Sequence, residues 1–245
     1  MRIAITRAVS PEIGRCELSY IERQPIDASL AAAQHDEYER QLAVLGCKVV
    51  RAADAPTMPD AVFVEDAAVV LDDAAIITRP GAESRRGETD SVAAVLERYR
   101  PLRRIEPPAT VDGGDVLVVG GDLYVGLSQR SNMAAVQQLN GFPIRFQGCL
   151  HLKSAVTLIG DRTLLLNRGW VDAAQFRGFN IIDVDPQEPH GANALRIGDA
   201  LIYSASYPRT RRLLEGRGFQ VLALDLSELE KAEAGVTCCS LIFST

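Results

Sequence analysis

The sequence predicts an α/β fold of about five ββαβ units set radially around one axis, helices outside, at a period of roughly 40–50 residues. Three observations predict it. Four stretches share one design, an apolar strand, a tight turn and a second apolar strand. A helix-like stretch and another strand usually follow each of them. The two ends of the chain supply the parts of one more unit. The expectation is a single domain over residues 1–245, not two.

The chain opens with a strand, MRIAITR, a helix, ASLAAAQHDEYERQLAVLG, and a strand, CKVVRA. This set lacks one strand, and CSLIFST at the far end is the expected partner, so that Met1–Arg7 pairs with Ser240–Ser244. Such closure removes two apolar edges that would otherwise invite association. The four hairpins are EDAAVVLDDAAIITRP, GDVLVVGGDLYVGLSQR, SAVTLIGDRTLLLNRG and ANALRIGDALIYSASYP. Their turns are read at Asp72-Asp73, Gly121-Asp122, Gly160-Asp161 and Gly198-Asp199, because Gly and Asp supply the backbone that tight hairpins need. After the first hairpin, Val92, Val95, Leu96 and Tyr99 fall on one helix face and Pro101 ends the helix. After the second comes SNMAAVQQLNG, with Gly141 as the expected C-cap. The third unit is the weakest, with only WVDAAQFRGFNIIDV in the helix-strand place. After the fourth, a short helix is capped near Gly218 and a strand follows.

Composition narrows the function classes. The chain is 47% hydrophobic and 24% charged, ordinary for a globular protein that can bury a core without staples. A net charge of −6 argues against a nucleic-acid partner. No apolar run approaches the ~18 residues of a membrane span. The start lacks the apolar core of a signal peptide. The five cysteines, Cys16, Cys47, Cys149, Cys238 and Cys239, are odd in number and scattered, with no CxxC pair. They point to a reducing, cytoplasmic compartment rather than a disulfide framework or a structural zinc site.

Polar residues recur a few positions ahead of each hairpin turn. Asp66, Asp115, Ser154 and Asn193 hold these places, Cys238 precedes the last strand, and Glu65, Asp112 and His151 lie close by. Each alone reads as an ordinary turn residue. A radial arrangement brings them to one axis, where a thiol, a histidine and carboxylates make a nucleophile, its base and the group that orients the base. Of the three histidines, His35 sits in a charged helix and is expected on its solvated face, and His190 follows a proline-rich loop. His151, at the head of the strand HLKSAVTLI, is the candidate base.

These residues lie in segments that resemble the dimethylarginine dimethylaminohydrolases, members of the pentein or guanidino-group-modifying superfamily. The segments are MPDAVFVEDAAVV, ITRPGAESRRGETD, VDGGDVL, VGLSQRSN, LHLKSAV, SASYPRTR and TCCSLIF, in order along nearly the whole chain. The resemblance implies a five-bladed α/β propeller and hydrolysis of Nω-methylated arginine to citrulline and methylamine or dimethylamine. It implies Cys238 as nucleophile, His151 as acid and base, and Asp112 as the carboxylate paired with that histidine, a place where some relatives have Glu. Asp66 takes a guanidinium-binding position with Glu65 beside it. Asp60 and the backbone of Leu18 match groups around the substrate's α-amino end, Arg85 and Arg130 match the arginines that hold its α-carboxylate, and Ala232 is a further substrate-binding position. No metal or organic cofactor is required. The expected partner is a small molecule, with the chain a monomer or a homodimer.

The alternatives are a different guanidine-modifying enzyme, an arginine or agmatine deiminase, and a non-catalytic binding protein of the same fold. Arginine deiminases carry an inserted helical domain for which this chain has no room, and agmatine lacks the carboxylate that Arg85 and Arg130 would hold. A redox or zinc-binding role for the Cys238-Cys239 pair is a third reading, against which stands the strain of a vicinal disulfide. Strand alternation places Cys239, Leu241 and Phe243 on the core face and Cys238, Ser240 and Ile242 on the other.

Overall fold

The structure, a computed structural model, describes all residues 1–245. Its elements run β1 (Arg2–Thr6), α1 (Ala28–Val44), β2 (Cys47–Arg51), β3 (Ala68–Val70), β4 (Ala75–Ile77), α2 (Thr89–Leu96) and β5 (Leu102–Arg104). Next come β6 (Val116–Val119), β7 (Asp122–Leu127), α3 (Met133–Leu139), β8 (Phe142–Arg145), α4 (Leu152–Ala155), β9 (Val156–Gly160), β10 (Thr163–Leu166) and β11 (Asn180–Asp183). The chain ends with β12 (Ala194–Ile197), β13 (Ala200–Ser204), α5 (Pro208–Gly216), β14 (Gln220–Leu224), α6 (Ser227–Glu230) and β15 (Leu241–Ser244).

Fifteen strands form five separate three-stranded sheets, β15-β1-β2, β3-β4-β5, β6-β7-β8, β9-β10-β11 and β12-β13-β14. In each, the central strand is antiparallel to the first and parallel to the third. The sheet made from the two chain ends obeys the same rule, with Arg2 opposite Ser244 and Ile5 opposite Leu241. Its apolar residues join both neighbours. Ile3, Ile5, Leu241 and Phe243 pack with Ala75, Ile77, Val92 and Leu96 of the following unit. Ala4 and Cys47 pack with Ile197, Ile202 and Leu224 of the preceding one. Five such apolar clusters therefore run around a closed ring, a five-unit α/β propeller. No helix is long and apolar enough to cross a membrane.

Local chemistry sets the elements. Asp27 caps α1 by accepting the Ser29 and Leu30 N–H groups at 2.9 and 3.0 Å. Proline opens α5, where its missing donor costs nothing. The third unit carries only a short 3₁₀ turn, Ala173–Gln175, in its helix place.

Several expectations need correction. The second hairpin turns one residue earlier, at Gly120-Gly121, both with positive φ. The third turns at Asp161-Arg162, because an irregularity in the register falls between Thr163 and Leu164. The left-handed residue ending α3 is Asn140, φ 50°, not Gly141. His35 is buried, not solvated: it packs on the inner side of α1, with Tyr38 as an aromatic neighbour and Glu39 3.8 Å away. The alternation through the last strand also breaks. β15 starts only at Leu241, so Cys239 joins the cluster containing Ala4 while Leu241 and Phe243 join the other.

Candidate active site

First strands are entered through helical turns rather than directly. Val64–Ala67 precedes β3, Gly113–Asp115 precedes β6 and α4 precedes β9. His151 is thus the residue before α4, not the head of a strand. Asp66 lies within the first of these turns, Asp112 just before the second and His151 just before the third, and these turns meet one another.

A small pocket opens there, lined by Asp60, Asp66, Arg85, Arg130, His151, Ala232 and Cys238 among the expected residues. Asp112 stands behind His151, fully buried, with its Oδ2 3.1 Å from His151 Nε2 and its Oδ1 accepting the Gly81 N–H at 2.9 Å. Asp66 Oδ1 lies 3.8 Å from His151 Nδ1 and accepts the Gly114 N–H at 2.9 Å. Only glycine fits at 114, since a Cβ would sit 2.7 Å from His151 Nδ1 and 2.8 Å from Asp66 Oδ1.

Arg85 is held in a closed ion network. Its Nη1 donates to Asp66 Oδ2 at 2.7 Å, its Nε and Nη2 to Glu88, and Nη2 also to the Asp60 carbonyl. Of five guanidinium N–H groups, one on Nη1 remains. Arg130 is the contrast: it is buried and its Nη1 has no hydrogen-bond partner.

Besides Asp112, two expected residues lie outside the pocket lining. Glu65 borders another cavity, on the β3, β6, β9, β12 and β15 side, with its carboxylate filled by Lys153 Nζ at 2.6 Å and Thr237 Oγ1 at 2.8 Å. Its backbone N–H holds the Cys238 carbonyl at 3.1 Å. Leu18 packs against the core, and its neighbour Glu17 lines the pocket instead, its N–H on the Asp60 carboxylate. Sequence reasoning missed Glu17, Phe63, Leu150, Glu233 and Ala234, which also line the pocket. Leu150 carried a signal in its adjacency to His151. Glu233 carried none: it has φ 59° and accepts the Ser19 and Tyr20 N–H groups, which ties it to a segment more than 200 residues earlier.

The electrostatics separate the groups. Burial lowers the His151 pKa, but Asp66, the bond to Asp112 and Asp115 outweigh it and raise it to about 9. Burial raises the Asp66 carboxyl, yet His151 and Arg85 pull it down to about 2. Burial, then the charges of Glu65 and Asp66, push the Cys238 thiol up to about 12. The empty pocket at neutral pH thus holds an imidazolium beside a thiol. Such a site has a proton ready to donate, and a cation set beside Glu65 and Asp66 would lower the thiol's pKa. Ligand atoms of Asp66, Asp112 and His151 lie within 4.8 Å of one another, as do those of His35, Asp36 and Glu39. In the first group Asp66 is paired with Arg85 and Asp112 is held by the Gly81 N–H and His151; in the second, Arg51 is paired with both Asp36 and Glu39.

Comparison with known proteins places this geometry. A family model described as "N,N dimethylarginine dimethylhydrolase, eukaryotic" matches residues 18–155. An N(G),N(G)-dimethylarginine dimethylaminohydrolase of Pseudomonas aeruginosa is 37% identical over 89% of this chain and 90% of its own. Another, of Streptomyces coelicolor, is 37% identical over 97% of this chain and 95% of its own. Among solved structures, the Pseudomonas aeruginosa enzyme as a cysteine-to-serine mutant complexed with citrulline superposes with a TM-score of 0.92 at 34% identity, covering 98% of both chains. With identity above a third along nearly its whole length and the same fold throughout, the chain belongs to the dimethylarginine dimethylaminohydrolase family.

Proposed function

We propose that the protein hydrolyses Nω-methylated L-arginine to L-citrulline, releasing methylamine or dimethylamine. The observation that carries this reading is one pocket that brings together a thiol, an imidazolium and a buried guanidinium whose Nη1 has no partner.

Asp66 fixes the plane of the substrate guanidinium by charge-assisted hydrogen bonds, while Arg85 and the Gly114 N–H hold the carboxylate itself. The incoming cation offsets the Glu65 and Asp66 charges that keep Cys238 protonated, so the thiol gives its proton to solvent water and the thiolate forms in the complex. Cys238 Sγ bonds to the guanidinium carbon, giving a tetrahedral adduct. His151 gives its proton to the amine nitrogen, the C–N bond breaks, and a thiouronium remains on Cys238. Neutral His151 then takes a proton from water. The hydroxide adds to the same carbon, the C–S bond breaks, and citrulline leaves with the thiol restored. Asp112 keeps the imidazole oriented through both transfers.

Recognition of the amino-acid end falls chiefly to Arg130, whose free Nη1 suits the α-carboxylate, with the one free Nη1 N–H of Arg85 as a second donor. Asp60 and the backbone near Leu18 serve the α-amino group. Phe63, Leu150 and Ala232 offer apolar wall to the methylene chain. Five free cysteines fit a reducing, cytoplasmic setting. The test is incubation with asymmetric dimethylarginine and quantification of both products. Citrulline and dimethylamine in equal amounts are expected, and no citrulline from any Nω-methylated arginine contradicts the reading.

A further inference from the structure

One buried carboxylate near the pocket has no place in the chemistry above. Asp115 is fully buried, does not line the pocket and has no Lys or Arg partner. Its bonds lead instead to three residues of the site. Oδ1 accepts the N–H of Leu152 at 2.8 Å, the residue after His151. Oδ2 accepts the Ser131 hydroxyl at 2.6 Å, and Ser131 Oγ in turn accepts the Asp112 N–H at 3.2 Å. Oδ2 also accepts the Ser128 hydroxyl at 2.6 Å, and Ser128 Oγ accepts the N–H groups of Arg130 and Ser131 at 2.9 and 3.1 Å.

We infer that Asp115 is a positioning residue that fixes His151, Asp112 and Arg130 relative to one another. The inference rests on the catalytic reading of the pocket. An ionised carboxylate is acceptor-only, and all three of its partners here are donors. Asparagine cannot replace it. Its NH₂ would face either the Leu152 N–H, donor against donor, or two hydroxyl oxygens of which Ser128 Oγ already accepts twice. Each tether acts on the backbone next to a functional side chain, so its loss moves that side chain without removing it. The carboxylate also adds negative charge near His151, whose ring faces Asp66 and Asp112, with Arg85 beyond Asp66 and Arg130 and Glu233 on the pocket wall.

The tethers separate experimentally. Asp115→Asn should lower kcat about 10- to 100-fold through misplacement of the acid and move the His151 titration to lower pH. Only three histidines are present, so the imidazole signals can be assigned by NMR with a His151→Ala control. Ser131→Ala, which frees the Asp112 N–H, should lower kcat with KM unchanged. Ser128→Ala, which frees the Arg130 turn, should raise KM for monomethylarginine and leave KM for Nω-methylagmatine, which has no carboxylate, unchanged. A folded Asp115→Asn protein with parental kcat and an unmoved His151 titration overturns the inference. Should Asp115→Asn fail to fold, parental kcat and KM in both serine variants overturn it. The NMR titration needs no substrate, so it reads the tether even if methylated arginine proves not to be turned over.

Discussion

Cys238 has a half-buried thiol on the pocket wall, and Cys239 is packed at 1% exposure among Ala4, Tyr38 and Val236. Cys238→Ser should therefore abolish citrulline formation, while Cys239→Ser should retain most of it and lower the melting temperature. The opposite pattern would exchange their roles. His151 sets a pH dependence. Its folded pKa of about 9 lies above the ordinary 6.5, so its protonated form contributes stability fully below about 6.5 and loses that contribution as pH rises through about 9. The same proton goes to the leaving amine, so kcat/KM should not lose the acid through neutral pH and should lose it as pH passes about 9. A kcat/KM that goes on rising above that pH would contradict the assignment of His151 as acid. At this scale the thiol, the histidine and both aspartates were legible, because few residue types do this chemistry. The states of Arg85 and Glu65 were not. Nothing in the sequence says that Asp66 and Glu88 take up one, or Lys153 and Thr237 the other. His35 was misread because Thr6 and Arg51, distant in sequence, satisfy the charges around it.

Among elements, period-2 patterning and turn residues located each hairpin. The helical turns leading into them stayed hidden, since three or four residues are too few to show a period. The pairing of β15 with β1 was readable from an arithmetic of missing strands, and the register now given, Ile3 opposite Phe243, makes it testable. Deleting residues 241–245 removes Leu241 and Phe243 from a shared core, each large-to-nothing loss worth about 2–5 kcal/mol. Against a total stability of about 5–15 kcal/mol, this should lower the melting temperature of the whole protein and not merely fray an end. A truncated chain that melts like the parent would rule out the closed ring as the source of stability.

Across the whole molecule, the five units place the Cys238 thiol, the His151 imidazolium, the Asp66 carboxylate and Arg130 around a single small pocket. The pocket is expected to select methylated arginine with the opposite Nη unsubstituted. Asp66 needs unsubstituted N–H donors, so symmetric dimethylarginine loses one charge-assisted bond worth roughly 1.5–3 kcal/mol, on the order of 10- to 100-fold in rate. The most direct measurement is kcat/KM for arginine, monomethylarginine, both dimethylarginines and agmatine, with the released amine identified. Monomethyl and asymmetric dimethylarginine should lead, releasing methylamine and dimethylamine, with the symmetric form, arginine and agmatine well behind. Arginine turning over fastest, with ammonia as the product, would contradict it.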